Sequence, residues 1–182
     1  MSLVRLNAAE HDLSTFFCGD ADLDEYLRQD AVRSQSDLLG VTYLLIDDGQ
    51  VVAYVTLLND RIGVEENIGI QQIRMPTRIK NLRRKMPRRK RYRNYPAVKI
   101  GRLAVAASHH KRGIGRLLLN TLIGWFTLGN KTGCRYMTVD ALRGATDFYK
   151  HSGFEFLVDG DKNEETRIMF LDLYPYAQQL NQ

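Results

Sequence analysis

Cysteine is scarce in this chain of 182 residues: Cys18 and Cys134 stand alone and far apart. Neither has neighbours at metal-ligand spacing, so a disulfide scaffold and a zinc site find no support, no metal is expected, and a reducing compartment suits both thiols. Long apolar runs are also missing, since none reaches the roughly 18 residues that cross a bilayer. The N-terminal MSLVRLNAAEHDL lacks the basic-then-apolar order of a secretory signal. Neither membrane insertion nor export is expected, and the cytoplasm is the expected location. No internal repeat is evident. The apolar and charged fractions, 44% and 26%, exclude fibrous and wholly disordered classes. A chain of this length is expected to fold as one domain, 1–182.

Acid is the next absence. Between Glu66 and Asp140 no aspartate or glutamate occurs. The first part of that stretch carries Arg74, Arg78, Lys80, Arg83, Arg84, Lys85, Arg88, Arg89, Lys90, Arg91 and Arg93, against a net charge of only +5 for the whole chain. A field of one sign attracts polyanions such as nucleic acid, and it weakens with salt. A solvated insertion, or a positive rim serving a phosphorylated coenzyme, accounts for the same charges. Pro76 and Pro87 interrupt the segment, so a basic insertion is expected at about 67–96, built of short helices or an arm.

What is present reads as alternating strands and helices. A first strand is expected at 4–6, then a helix starting near Asp20 or Asp22 whose Leu23, Tyr26, Leu27 and Ala31 recur at helical spacing. Runs at 42–46 and 51–58 flank Asp47, Asp48, Gly49 and Gln50, a hairpin signal. A strand at 97–105 leads into an amphipathic helix at 115–128, with Trp125 and Phe126 at core spacing. A strand at 136–141, a short helix at 145–151 and strands at 154–157 and 168–173 complete the set. The pattern predicts an α/β (mixed α+β) fold, a sheet of about six to seven strands flanked by helices. The 105–136 connection should be a right-handed crossover between parallel strands.

The most informative loop lies between the strand at 97–105 and the long helix. Leu103-Ala104-Val105 ends an apolar strand, and His110-Lys111-Arg112-Gly113-Ile114-Gly115-Arg116 opens the helix. Glycines let a backbone approach phosphate oxygens, free N–H groups point outward at a helix start, and the helix dipole favours anions there. Lys111, Arg112 and Arg116 add charge. Within this loop no lysine is followed by serine or threonine, as a nucleotide P-loop requires. The acid expected about 20 positions on in a dinucleotide site is missing too. A phosphate site of another type is left.

The segment resembles the coenzyme loop of the GCN5-related N-acetyltransferase superfamily, R/Q-x-x-G-x-G/A, with His110 replacing the usual arginine or glutamine. A second motif of that family, a tyrosine on a short helix ahead of Gly-Phe, is matched by Asp147-Phe148-Tyr149-Lys150-His151-Ser152-Gly153-Phe154, about 35 positions on. The segments Phe16-Phe17-Cys18-Gly19-Asp20-Ala21-Asp22-Leu23-Asp24-Glu25-Tyr26-Leu27 and Gly101-Arg102-Leu103-Ala104-Val105 are similar to the toxin branch of the superfamily. The resemblance implies that acetyl-CoA is held by Leu103, Ala104, Val105, His110, Lys111, Arg112, Gly113, Ile114, Gly115 and Arg116, and that acetyl passes directly to a primary amine in a ternary complex. The toxin branch acetylates the α-amine of aminoacyl-tRNA. That would give the basic segment 74–93 a tRNA partner, and it adds an antitoxin and a homodimer to the assemblies to test.

The same resemblance makes Tyr149 the catalytic acid for the departing thiolate; packing or thiol binding is its plainer role. Backbone groups of Leu103, Ala104 and Val105 would polarise the acyl oxygen. Asp140 either orients a water or the amine, or caps a strand end. His109 and His110 read as loop residues beside phosphate, or as bases. Tyr92 and Tyr95 either stack on bases or cover apolar surface. Acetylation of a protein or small amine, and a non-catalytic basic module that senses acyl-CoA or binds nucleic acid, are the competing readings.

Overall fold

The computed structural model describes residues 1–63, 94–128, 132–158 and 160–179. The basic run 74–93, with Tyr92, lies outside the described residues, as does most of the expected 67–96 insertion; its last three positions, Asn94, Tyr95 and Pro96, open a strand. The described residues form two compact units, Met1–Asn59 with Ile100–Trp125 in the first and the remainder in the second.

In the first unit, β1 (Ser2–Arg5) pairs antiparallel with β2 (Val41–Asp47), which pairs antiparallel with β3 (Gln50–Gly63). Asp48 and Gly49 both hold positive φ, 46° and 78°. Two such residues make the hairpin turn whose twist matches that of the flanking strands, which is why Asp-Gly fixes the register of Asp47 against Gln50. Between β1 and β2 lie α1 (Ala21–Glu25), a π-helical turn (Tyr26–Asp30) and α2 (Ala31–Ser36). Asp20 caps α1 by accepting the Leu23 N–H at 3.2 Å. Leu27 and Ala31 are fully buried against Leu6, Phe16, Leu44 and Tyr54. The Tyr54 hydroxyl donates to the Leu23 carbonyl at 2.8 Å.

Strand β4 (Asn94–Val105) ends in this unit and is followed by α3 (Ile114–Thr127). Ile114, Leu118, Leu119, Leu122 and Ile123 form its buried stripe. Trp125 does not join them: it is 40% exposed, with its ring edge-on to Tyr43 at 4.9 Å. Its helical phase falls within the stripe, but it sits in the last turn of α3, where Tyr43 covers part of the indole.

The second unit contains β5 (Tyr136–Leu142), α4 (Thr146–His151), β6 (Glu155–Phe156), β7 (Thr166–Asp172) and α5 (Tyr174–Gln179). Antiparallel β5 and β7 set Val139 opposite Met169, and β6 extends β7 on its other edge. Ile62, Tyr95, Ala97, Tyr136 and Phe170 cluster in its core, with Tyr136 edge-on to both Tyr95 and Phe170 at 6.0 Å. Tyr95, weighed as a base-stacking residue, is therefore a core residue. Helix α5 was not expected from the sequence; Asp172 starts it by accepting the Tyr174 N–H at 3.0 Å.

Hydrogen-bonded neighbours run β1-β2-β3-β4-β5-β7-β6, a seven-stranded mixed sheet in an α/β fold. Strands β4 and β5 point the same way: Arg135 N–H bonds Pro96 O, Thr138 Oγ1 bonds Val98 O, and Lys99 reaches Asp140, so both chains advance together. No helix among the described residues is long and apolar enough to cross a membrane.

Candidate active site

The first unit carries the phosphate-type loop. Gly101 lies near the end of β4 because a side chain there would overlap Leu58. Beyond Leu103, Ala104 and Val105 the chain is fastened twice: Ala106 N–H donates to Val52 O at 2.8 Å and Ala107 N–H to Phe17 O at 2.9 Å. A short 3₁₀ turn (Ala107–His109) follows. Lys111 then adopts φ 61° and Gly113 φ 77°, two left-handed residues that turn the chain into α3. A Cβ on Gly113 would meet nothing within 4 Å, so conformation rather than crowding demands glycine there.

Leu117 N–H to Gly113 O, at 2.9 Å, is the bond that begins the helical ladder. The amides of Ile114, Gly115 and Arg116 precede it and so have no acceptor within the helix. The first turn of α3 contains no acid. Lys111, Arg112 and Arg116 are exposed, and no carboxylate among the described residues pairs with them. Free amides, a positive dipole end and three unpaired cations fit a diphosphate, so the residues present suit the coenzyme the sequence implies.

His110 behaves differently from an arginine or glutamine at its position. Its Nε2 lies 2.8 Å from the Val105 carbonyl oxygen, closing the loop back onto the end of β4. The hydrogen bond assigns that nitrogen as the donor. His109 Nδ1 is 2.9 Å from Ser108 Oγ. Neither histidine faces a group it could activate among these contacts.

The second unit carries the tyrosine. Helix α4 ends in a left-handed Gly153, φ 91°. Gly153 N–H bonds Lys150 O and Phe154 N–H bonds Tyr149 O, both at 3.0 Å, which is the paired bonding of a Schellman cap. The Gly-Phe that follows the tyrosine in sequence is therefore the stop signal of its helix. Phe148 and Phe154 set their rings edge-on to Tyr149 at 5.0 and 5.3 Å. Tyr149 is only 6% exposed, and burial raises its phenol above the ordinary range. Its hydroxyl finds no hydrogen-bond acceptor among the described residues.

Asp140, on β5, is paired with Lys99 on β4: Nζ to Oδ2 is 2.5 Å. Sequence reasoning singled out Asp140 but missed Lys99, because the pairing spans 41 positions and depends on strand alignment. The one available signal was a lone cation inside an apolar strand. Cys18 is buried and Cys134 half-buried, both as free thiols.

A family model described as the acetyltransferase (GNAT) family matches residues 6–154. A tRNA-acetylating toxin from Mycobacterium tuberculosis (strain ATCC 25618 / H37Rv) is 29% identical over 146 residues, 79% of this chain and 78% of the relative. Among solved structures, AtaT complexed with acetyl-methionyl-tRNAfMet superposes with a TM-score of 0.77 at 26% identity, covering 98% of each chain. AtaTR bound with AcCoA gives 0.74 at 25% identity, covering 100% of this chain and 98% of that one. With a loop shaped for a diphosphate, a helix-capped tyrosine and a match that runs through both, the chain belongs to the acetyltransferase (GNAT) family and is an acetyl-CoA-dependent N-acetyltransferase.

Proposed function

We propose that the acceptor is the α-amine of an aminoacyl-tRNA, which makes this enzyme a translation-blocking toxin of the cytoplasm. The observation that carries this reading is the 29% identity, over 79% of the chain, to a tRNA-acetylating toxin. The likeness to AtaT complexed with acetyl-methionyl-tRNAfMet supports the same acceptor. The eleven arginines and lysines of 74–93 supply the charge that a tRNA backbone requires. The family match over 6–154 includes parts of both compact units, which supports reading the chain as one acetyltransferase domain. Complexes of AtaT with the antitoxin AtaR extend the proposal to an antitoxin partner.

When bound, acetyl-CoA supplies the acetyl group as an activated thioester. Amides of Ile114, Gly115 and Arg116, with Lys111, Arg112 and the turn at Gly113, hold the diphosphate. Backbone groups of Leu103, Ala104 and Val105 hold the pantetheine arm and polarise the acyl oxygen, an assistance worth about 3 kcal/mol in comparable oxyanion sites. Tyr149 would serve as the proton donor to the thiolate that acetyl transfer releases, and burial, which raises its phenol above the ordinary range, would keep that proton in place. An α-amine titrates near 8 and a lysine near 10.4, so the former needs little help to be neutral.

The test is mass spectrometry of tRNA and protein after incubation with acetyl-CoA and a pool of charged tRNAs. Acetyl-aminoacyl ester is expected. CoA release that leaves every aminoacyl ester unmodified, while a protein or small amine gains acetyl, would transfer the enzyme to the competing acceptor class.

A further inference from the structure

Four described glycines hold positive φ, and at three of them, Gly19, Gly49 and Gly113, a Cβ would meet nothing within 4 Å. Gly153 is the exception. A Cβ there would come within 2.9 Å of the Tyr176 hydroxyl and 3.3 Å of a Leu171 methyl, so the turn that ends α4 is pressed from α5 and from β7. Its left-handed backbone already calls for glycine, so the crowding is a separate fact about what lies over the turn.

Helix α5 gives that contact its interest. Its six residues fall well short of the roughly 12 that a helix needs to stand alone in water, and none of them is buried, so it adds little to the core. It is nevertheless anchored closely. Asp172 accepts Tyr174 N–H on Oδ1 at 3.0 Å and Arg135 Nη2 on Oδ2 at 2.8 Å. Leu173 N–H donates to Arg135 O at 3.0 Å, and the guanidinium carbon of Arg135 lies 4.5 Å from the centre of the Tyr174 ring. The ladder bond from Ala177 N–H to Leu173 O, at 3.1 Å, then carries Tyr176 over Gly153. The Tyr176 hydroxyl has no hydrogen-bond partner among the described residues, so it acts on the turn by bulk.

Beneath that contact lies the cap of a helix only six residues long, with Tyr149 in its last turn. Helix ends open more readily than any other part of a fold, and opening this one would break the Gly153 and Phe154 N–H bonds to Lys150 O and Tyr149 O. We propose that α5 is a positioning element of the reaction: Tyr176, leaning on Gly153, keeps the cap of α4 closed and so keeps the Tyr149 hydroxyl in place. Tyr176 touches no reacting group; it is a positioning residue that acts through Gly153 and Phe154. This rests on the reading of Tyr149 as the acid, but not on which amine is acetylated.

Four variants of the full chain decide it: Tyr176→Ala, Tyr176→Phe, Tyr149→Phe and the double variant Tyr149→Phe with Tyr176→Ala. With whichever amine wild type acetylates, Tyr176→Ala is expected to lower kcat by about tenfold to a hundredfold, the scale of a small misplacement of a catalytic group. Its Kd for acetyl-CoA by calorimetry should stay within about twofold of wild type. Tyr176→Phe keeps the ring over the turn and should retain most of the turnover. In the Tyr149→Phe background, where no hydroxyl is left to misplace, adding Tyr176→Ala should cost almost nothing further. Hydrogen exchange should show the Gly153 and Phe154 amides opening faster in Tyr176→Ala while those of Val139 and Met169, paired across β5 and β7, do not change. Should Tyr176→Ala fail to fold, Tyr176→Leu, too short to reach Gly153, takes its place.

A loss that persists undiminished in the Tyr149→Phe background, or that follows the folded fraction measured by thermal melting, makes α5 a merely structural prop and overturns the proposal. So does unchanged kcat in Tyr176→Ala beside a large loss in Tyr149→Phe, an outcome that leaves the acid reading standing. Wild-type turnover in Tyr149→Phe overturns the acid reading itself and the positioning role with it.

Discussion

Phe154 holds Tyr149 twice: its backbone N–H donates to the Tyr149 carbonyl at 3.0 Å, and its ring stands edge-on to the tyrosine ring at 5.3 Å. A helix cap and an aromatic contact thus act on one side chain. The hydrogen bond fixes where α4 stops, and the ring contact fixes how the phenol lies. The proposed role of Tyr149 as an acid toward one sulfur atom would benefit from both, since small errors of placement are costly in catalysis.

Replacing Tyr149 by Phe removes a hydroxyl that has no acceptor among the described residues while keeping both ring contacts. Stability should change by less than about 0.5 kcal/mol. Turnover should fall by roughly 10²- to 10⁴-fold, the usual contribution of a placed acid. Steady-state CoA release alongside calorimetric acetyl-CoA affinity checks this; a drop in affinity equal to the drop in rate would make the hydroxyl a binding group instead.

Gly153→Ala tests the cap. Its φ of 91° disfavours any side chain, and a Cβ would come within 2.9 Å of the Tyr176 hydroxyl. The expected cost is at least about 1 kcal/mol from conformation alone, read as a lower thermal midpoint. Because Phe154 N–H would shift with it, turnover in the folded fraction should fall as well. Intact turnover in a destabilised variant would separate the cap from the alignment of Tyr149.

Gly113→Ala makes the complementary case. There the φ of 77° is unfavourable but nothing crowds the new methyl. Folding should lose about 1 kcal/mol, and the Kd for CoA should rise because the methyl enters the space the diphosphate needs. Arg116→Ala should weaken CoA binding less, with the difference from wild type shrinking as salt is added, since exposed charge interactions are screened. Calorimetry across a salt series distinguishes the two.

Alkaline pH should unfold the protein progressively. Burial raises the Cys18 thiol to about 11 and the Tyr136 phenol to about 12, and it raises Tyr54 and Tyr149 too. The corresponding groups in an unfolded chain titrate near 8.5 and 10. The native form therefore holds its protons longer, so the contribution to stability is complete below about pH 8.5 and is lost as pH climbs through the native values. Urea midpoints measured between pH 8 and 11 should fall steadily; a flat series would contradict it.

Local signals carried far in this sequence and long-range ones did not. The Asp48-Gly49 turn, the Asp20 cap and the stripe of Leu118, Leu119 and Leu122 were all legible, because each depends on neighbours within a few positions. The glycine loop was legible for the same reason. Helix α5 was missed because it is short and opens at Tyr174-Pro175, a pair that reads as a turn. The π-helical turn at Tyr26–Asp30 left the apolar spacing almost intact and so gave no sign of itself. Lys99 and Asp140 meet only once β4 and β5 are aligned, and no spacing rule joins positions 41 apart. The His110 ring, expected to face phosphate, turns to the Val105 carbonyl, a choice made by loop geometry rather than by residue type.

Lys111 occupies a left-handed conformation, φ 61°, that an unbranched L-residue enters only at a penalty of about 1 kcal/mol. Glycine would sit there without strain, yet it would leave the mouth of the helix one ammonium poorer. At that position ease of folding and the proposed attraction for phosphate pull in opposite directions: a chain tuned for hardiness would drop the lysine, and one tuned for the proposed capture would keep it.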